Sequence, residues 1–380
     1  MKTLLAAFVT TVLLSSFVFS QASDAALRRA MRLDNDQRDT NGKLPTLDAA
    51  EHLLRAETYM ANRLFPQARE HWQIVFDTFP NDVGIHKAFF GTARSYMWGR
   101  QYEKAVFWFE KLNGNTSKEG REGLAFKGAS LVRLGKDLDA AKVYEQYVQY
   151  FPQGERIESA HLNLIDAYRE AGKYDEAERW IDKTVARFGG KAAEVNALHA
   201  RLRMEIYRER WNEAIAAAAM LLIGKSFSGA MTGADEIRFL RAFALEKAGR
   251  KQQSTEAYAS IPDSFSSYYG GLAAARLAKN GSKASFVSPT SQQSSDSPVM
   301  YRAELLQSAK KFDIDPRFLL AIMKQESSFK SAAKSPAGAR GLLQLVYDTA
   351  IKYKSKAGYP NLQPDQLYYP SVNIAVGVIA

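Results

Sequence analysis

A chain of 380 residues is long enough for two or three domains with buried cores, and 46% apolar against 24% charged residues excludes a disordered or fibrous protein. The absence of cysteine excludes disulfides, a cysteine-linked lipid anchor and a thiolate metal site, so stability must come from packing. A formal charge of +10 favours an acidic partner, and the amino terminus bears on which one.

Met1-Lys2 gives a positive start and Leu4 to Phe19 is uncharged and mostly apolar. Ser20-Gln21-Ala22 then offers small residues at the two positions a signal peptidase reads. This pattern predicts a cleavable signal over 1–22. A membrane anchor is the alternative, but a helix needs roughly 20 apolar residues to span a bilayer, more than this run supplies. No transmembrane span is expected after removal. Export turns the positive charge away from nucleic acid and toward an anionic cell-wall polymer or membrane surface.

After an amino-terminal segment, 23–48, a pattern recurs. Phe65-Pro-Gln-Ala68, Tyr102-Glu-Lys-Ala105, Leu138-Asp-Ala-Ala141, Tyr174-Asp-Glu-Ala177 and Trp211-Asn-Glu-Ala214 place an alanine every 36 or 37 residues. A fixed period of this length predicts stacked helix pairs, each with an amphipathic first helix, a turn near Gly or Asn, and a second helix. Phe79-Pro80, Phe151-Pro152 and Phe188-Gly189 mark ends of second helices. The units resemble tetratricopeptide repeats, slightly longer than usual. Their aromatic and alanine stripes are read as core, with a ligand-lining concave face as the alternative. A worn sixth unit spans Asp235 to Ile261, and Tyr268 to Leu277 would close an array extending over 49–278.

Composition then shifts. KNGSKASFVSPTSQQSSDSP, 279–298, has too little apolar content to pack and is predicted to be a linker, with a new domain over 299–380. Asp315-Pro316 starts a helix in which Leu319, Ile322, Met323 and Glu326 fall at helical spacing, which predicts Glu326 on the apolar stripe. A desolvated carboxyl holds its proton to higher pH, as a general acid must, whereas a helix-end glutamate is more commonly solvated. Ser335-Pro336 makes a turn, Gly338 and Gly341 allow close backbone approach, and a second helix is expected to begin at Leu342-Leu-Gln344. Ser335 and Gln344 could hydrogen-bond the glutamate or a polar substrate, and the glycines could equally serve only a tight turn. The domain carries 11 Lys and Arg against 6 Asp and Glu.

QESSF at 325–329, Ala333-Lys-Ser335-Pro-Ala-Gly338-Ala339-Arg-Gly341-Leu-Leu-Gln344, Thr349-Ala350, and Leu367-Tyr-Tyr-Pro370-Ser-Val-Asn373-Ile374-Ala-Val-Gly377 together resemble the catalytic domain of the soluble lytic transglycosylases. The resemblance implies an all-α protein: a superhelical array followed by a lysozyme-like, mostly helical domain. It implies a periplasmic enzyme that cleaves the β-1,4 bond between N-acetylmuramic acid and N-acetylglucosamine of peptidoglycan and forms a 1,6-anhydromuramoyl product. Glu326 would be the catalytic acid, then base. Ser335, Gly338, Gln344 and Val346 would serve substrate binding, and no metal or cofactor is called for. Peptidoglycan strands are the expected partner, with envelope proteins possible on the repeats. Leu343, Val346 and Tyr347 depart from the methionine, methionine and proline usual in the family. The chain stops at Ala380, before the family's later tyrosine and Ala-Tyr-Asn-Ala-Gly-Pro segment, which implies an incomplete groove. A lysozyme-type hydrolase and a non-enzymatic envelope adaptor are the alternatives.

Overall fold

The computed structural model of the protein describes residues 24–263, 267–279, 281 and 301–380. The expected signal, 1–22, and the linker, 279–298, lie outside these residues save for Lys279 and Gly281. The described chain is all-α apart from one small hairpin. Helix α1 spans 24–37. Six helix pairs follow: α2 (Ala49–Ala61) with α3 (Phe65–Thr78), α4 (Ile85–Trp98) with α5 (Tyr102–Glu110), α6 (Lys118–Arg133) with α7 (Asp137–Tyr150), α8 (Ile157–Glu170) with α9 (Tyr174–Arg187), α10 (Ala192–Tyr207) with α11 (Trp211–Leu222), and α12 (Ala234–Lys247) with α13 (Lys251–Ala259). Helix α14 (Tyr268–Lys279) comes next.

The periodic alanines mark the packing. Ala68, Ala105, Ala141, Ala177 and Ala214 are each 0% exposed, because a methyl group is what lets two helices of a pair approach closely. The turns inside the pairs repeat as well. Each holds one left-handed residue, at Arg63, Arg100, Gly135, Gly172, Glu209 and Gly249. The next residue's N–H reaches back five positions, as from Leu64 to Tyr59 O and from Lys173 to Tyr168 O, satisfying a carbonyl at the helix end. Arg63, Arg100 and Glu209 adopt this conformation without glycine, so the turn is set by its helices and no Gly signal announces it.

The described residues form two compact units, one of 24–111 with 301–380 and one of 112–281. In the second unit, Val195, Leu198, Leu202, Leu221 and Ile237 belong to one core cluster, Ile165, Ile181 and Met204 to another, and Tyr258, Ile261 and Leu277 to a third. The first unit joins distant parts of the chain. Leu27 of α1, Tyr59 and Met60 of α2, and Trp72 of α3 share one core with Leu345, Tyr347, Ala350, Leu362, Leu367, Val372 and Val376.

Beneath that core, α1, α2 and α3 meet through a buried polar relay that the sequence did not announce. The Leu47 N–H donates to His52 Nε2 at 3.0 Å, which leaves the His52 proton on Nδ1. That proton points to His71 Nδ1 at 2.9 Å, so His71 carries its own on Nε2 and donates to Asp34 Oδ2, also at 2.9 Å. Arg55 and the Tyr59 hydroxyl donate to the same carboxylate at 2.6 Å. Every ring nitrogen is used once, so His52 cannot take up a proton without breaking a bond.

Burial, then the neighbouring His71 and Arg55, holds His52 down to about 4 from the usual 6.5. His161, packed between Trp180 and Phe188, is also held to about 4 by burial and by Arg187 and Lys183. Both rings stay neutral in the folded chain while the unfolded chain protonates, so stability falls as pH drops from 6.5 toward 4. Each histidine contributes on the order of 2 kcal/mol to that loss. Asp34 acts lower. Burial alone would raise its carboxyl, but His71, Tyr59 and Arg55 hold it at about 2, so its contribution is present above 3.8 and is lost as pH falls toward 2. Urea unfolding at pH 7 and pH 4.5 is therefore expected to show a clearly lower midpoint at pH 4.5; equal midpoints would contradict the relay.

Candidate active site

The candidate site is built by α15 (Arg302–Phe312), α16 (Pro316–Ser327), the hairpin of β1 (Ala339–Arg340) and β2 (Leu345–Val346), α17 (Tyr347–Tyr353), the 3₁₀ turn Pro364–Tyr368 and α18 (Pro370–Gly377). Leu305 and Ala309 of α15, Leu319 and Met323 of α16, Leu342 of the hairpin turn and Ile374 of α18 form its core.

Glu326 is exposed, contrary to its predicted place on the buried stripe of α16. The stripe runs instead through Leu319, Met323 and Ser327, with Leu320 and Ile322 half-buried on its flanks. At about 100° per residue, Glu326 sits roughly 60° off the middle of that stripe, in the last turn, where the core no longer covers it. Ser327 takes the buried place and satisfies its hydroxyl by donating to Met323 O at 2.9 Å. The Glu326 side chain makes no hydrogen bond or ion pair with another described residue.

The chain reverses directly after the glutamate. Ser328 and Phe329 are both left-handed, at φ 48° and 64°, a conformation that costs about 1–2 kcal/mol per L-residue. Three backbone bonds hold it: Ser328 N–H to Lys324 O, Phe329 N–H to Met323 O and Lys330 N–H to Ser327 O. The Phe329 ring packs against the α16 core. The segment then runs to Ala333, whose carbonyl accepts the Gly341 N–H at 2.9 Å and the Gln344 side-chain amide at 3.3 Å.

The helix expected from Leu342 does not form there. Gly341 and Gln344 are left-handed, at φ 74° and 47°, and residues 341–344 close a hairpin in which Ala339 pairs with Val346 and Arg340 with Leu345. Asn373 of α18 decides this. Its Oδ1 accepts the Leu343 N–H at 2.8 Å, and its amide donates to Arg340 O and Leu367 O at 2.9 and 2.7 Å. Gly341 lies so close to Leu367 O and the Asn373 amide that a β-carbon there would overlap both. Helix α17 starts only at Tyr347, whose hydroxyl donates to Leu362 O.

The other candidates are placed as follows. Ser335 is half-buried and closes the turn before β1: its N–H donates to Ala339 O at 2.9 Å and its Oγ accepts the Ala339 N–H at 3.1 Å. It makes no bond to Glu326. Gln344 donates its amide to Gly341 O at 2.9 Å as well as to Ala333, which leaves its carbonyl oxygen as the group with capacity for a ligand. Gly338 is buried, and a β-carbon there would lie 2.8 Å from Ala61 O, so it serves contact with the end of α2 and is not open to a ligand. Val346 is half-buried at the end of β2. Among the described residues no group of three or more His, Asp or Glu could hold a metal ion.

Two residues that organise this site carried little sequence signal. Asn373 is one polar position in an apolar run, the mark of a buried, fully bonded amide. Arg340 is 0% exposed and paired with Asp24 of α1, 1% exposed, and nothing in its local sequence suggests either fact. The Asp24 carboxyl would be raised by burial, yet Arg340 and Lys334 hold it below its ordinary value.

Residues 305–379 match the family model described as the transglycosylase SLT domain, and residues 135–202 match a tetratricopeptide repeat model. The chain is 41% identical over 75 residues to the membrane-bound lytic murein transglycosylase C of Yersinia enterocolitica, covering 19% of this chain and 20% of that protein. It is 33% identical over 81 residues to the soluble lytic murein transglycosylase of Salmonella typhimurium, covering 21% and 13%. The alignments thus span a fifth or less of these relatives' length. The solved structure of an inactive mutant of the lytic transglycosylase Slt from Pseudomonas aeruginosa is 17% identical, with a TM-score of 0.40 over 94% of this chain and 75% of that one. This chain thus carries a transglycosylase SLT domain over residues 305–379, behind helical repeats of the tetratricopeptide type.

Proposed function

We propose that this protein is a periplasmic peptidoglycan lytic transglycosylase in which Glu326 acts first as general acid and then as general base. The observation that carries the reading is the placement of Glu326: a solvent-open carboxylate ends α16 of a transglycosylase SLT domain, and the backbone turn after it leads through Ala333 into the hairpin.

One carboxylate suffices for this reaction. Glu326 protonates the glycosidic oxygen as the bond to N-acetylmuramic acid breaks. The resulting carboxylate accepts the proton of the same sugar's C6 hydroxyl as that oxygen attacks C1, closing the 1,6-anhydro ring. The nucleophile belongs to the substrate, so positioning does much of the catalytic work. Because α16 leaves Glu326 in water, the desolvation a general acid needs comes from the glycan strand laid over it. Ser335 and the Gln344 carbonyl oxygen bind sugar at the hairpin, and the lysines of this domain favour anionic stem peptides.

A hydrolase would need a second carboxylate. Asp365 is paired with Arg28 at 2.6 Å, whereas Asp348, in the first turn of α17, has a buried Oδ1 without a hydrogen-bond partner among the described residues. Purified sacculi incubated with the full chain are expected to release soluble muropeptides, and Asp348→Asn is expected to release them at more than half the wild-type rate. No release by the wild-type chain would defeat the enzymatic reading, and abolition by Asp348→Asn would favour hydrolysis.

A further inference from the structure

We propose that Asp24 is a positioning residue for the candidate site: through Arg340 and Lys334 it fixes the segment 333–344, which makes the amino-terminal helix a working part of that site. The transglycosylase reading enters only through the activity measurements below.

The Arg340 guanidinium ties three elements together. Its Nε and Nη2 donate to Asp24 Oδ1 of α1 at 3.2 and 2.5 Å, and Nη2 also reaches Asn62 Oδ1 at the end of α2. Nη1 donates to Gly338 O at 2.7 Å, within its own turn. Asn62 is oriented for this, since its amide donates to Thr58 O at 2.8 Å. Lys334 Nζ reaches the same Asp24 oxygen at 3.0 Å.

Two cations therefore share one buried carboxylate. A guanidinium cannot shed its charge, so removing the carboxylate takes away the anion that holds Arg340 and Lys334 close together. Both flank the groups with ligand capacity. Lys334 precedes Ser335, and Arg340 precedes Gly341, whose N–H and C=O bind Ala333 and the Gln344 amide. Loss of the anchor releases Ser335 and Gln344 together, while Glu326 on α16 stays where its own helix puts it. That separation distinguishes positioning from plain destabilisation.

The test is Asp24→Asn, which keeps the shape and removes the charge, in the full chain. Amides of 333–346 are expected to exchange with deuterium at least 10-fold faster, with α8 and α10 of the other unit unchanged. Turnover of soluble glycan strands should fall about 10- to 100-fold, the size of effect an ångström-scale displacement produces, with the pH profile of kcat unshifted. Asp24→Glu should recover part of both. Should Asp24→Asn not fold, Asn62→Ala, which removes one acceptor and leaves the charges paired, is read the same way for a smaller change. Wild-type exchange over 333–346, or faster exchange spread equally over both units, would overturn the proposal. If the wild-type chain releases no muropeptides, the transglycosylase reading fails, and the exchange measurement alone decides the positioning.

Discussion

Glu326→Gln is expected to lower muropeptide release from sacculi by about 10³-fold, within the range that a positioned acid and base contributes. The glutamine keeps the size and polarity of the side chain but can neither give a proton to the leaving oxygen nor take one from the C6 hydroxyl. Both half-reactions therefore fail together. Because the Glu326 side chain is exposed and bonded to no other described residue, the substitution should leave stability within about 0.5 kcal/mol of wild type. A thermal melt beside the release assay checks this. Activity of Glu326→Gln near the wild-type rate would remove Glu326 from the chemistry, and a large fall in melting temperature would mean that its exposed setting is misread.

Asn373→Ala should produce the largest effect on the fold around the site. The side chain is fully buried, and its three hydrogen bonds serve the backbone groups Leu343 N–H, Arg340 O and Leu367 O. Alanine removes all three of these buried bonds, for a cost of about 3–5 kcal/mol. Asn373→Asp separates geometry from chemistry. It keeps the acceptor for Leu343 but sets a carboxylate oxygen against two carbonyls, so it is expected to destabilise at least as much. Opening free energies from amide exchange at Gly341 and Leu343 measure both variants. A loss under about 1 kcal/mol in each would show that the hairpin turn is held by something else.

The repeats were legible because their determinants are local. An alanine every 36 or 37 residues reports a helix crossing wherever it occurs, and all five proved fully buried. The candidate site was legible as a set of residues but less so as a geometry. Periodicity placed Glu326 on the apolar stripe because Leu319, Ile322 and Met323 share its spacing. Ser327, a small residue able to bond its own helix, takes the buried position instead. The apolar Leu342-Leu343 pair read as the start of a helix, yet it occupies a hairpin turn imposed by Asn373, some 30 residues away. Arg340 and Asp24 lie 316 positions apart, and the His52, His71 and Asp34 relay joins three helices. Such contacts satisfy buried polar groups across the fold and leave no mark on the neighbouring sequence.

The most direct test of the central claim is the mass of the glycan fragments that the full chain releases from purified peptidoglycan. Intramolecular attack by the C6 hydroxyl predicts fragments ending in 1,6-anhydro-N-acetylmuramic acid, each lighter by one water than its hydrolytic counterpart and lacking a reducing end. Fragments that carry the added water, with reducing ends and no anhydro ends, would contradict it.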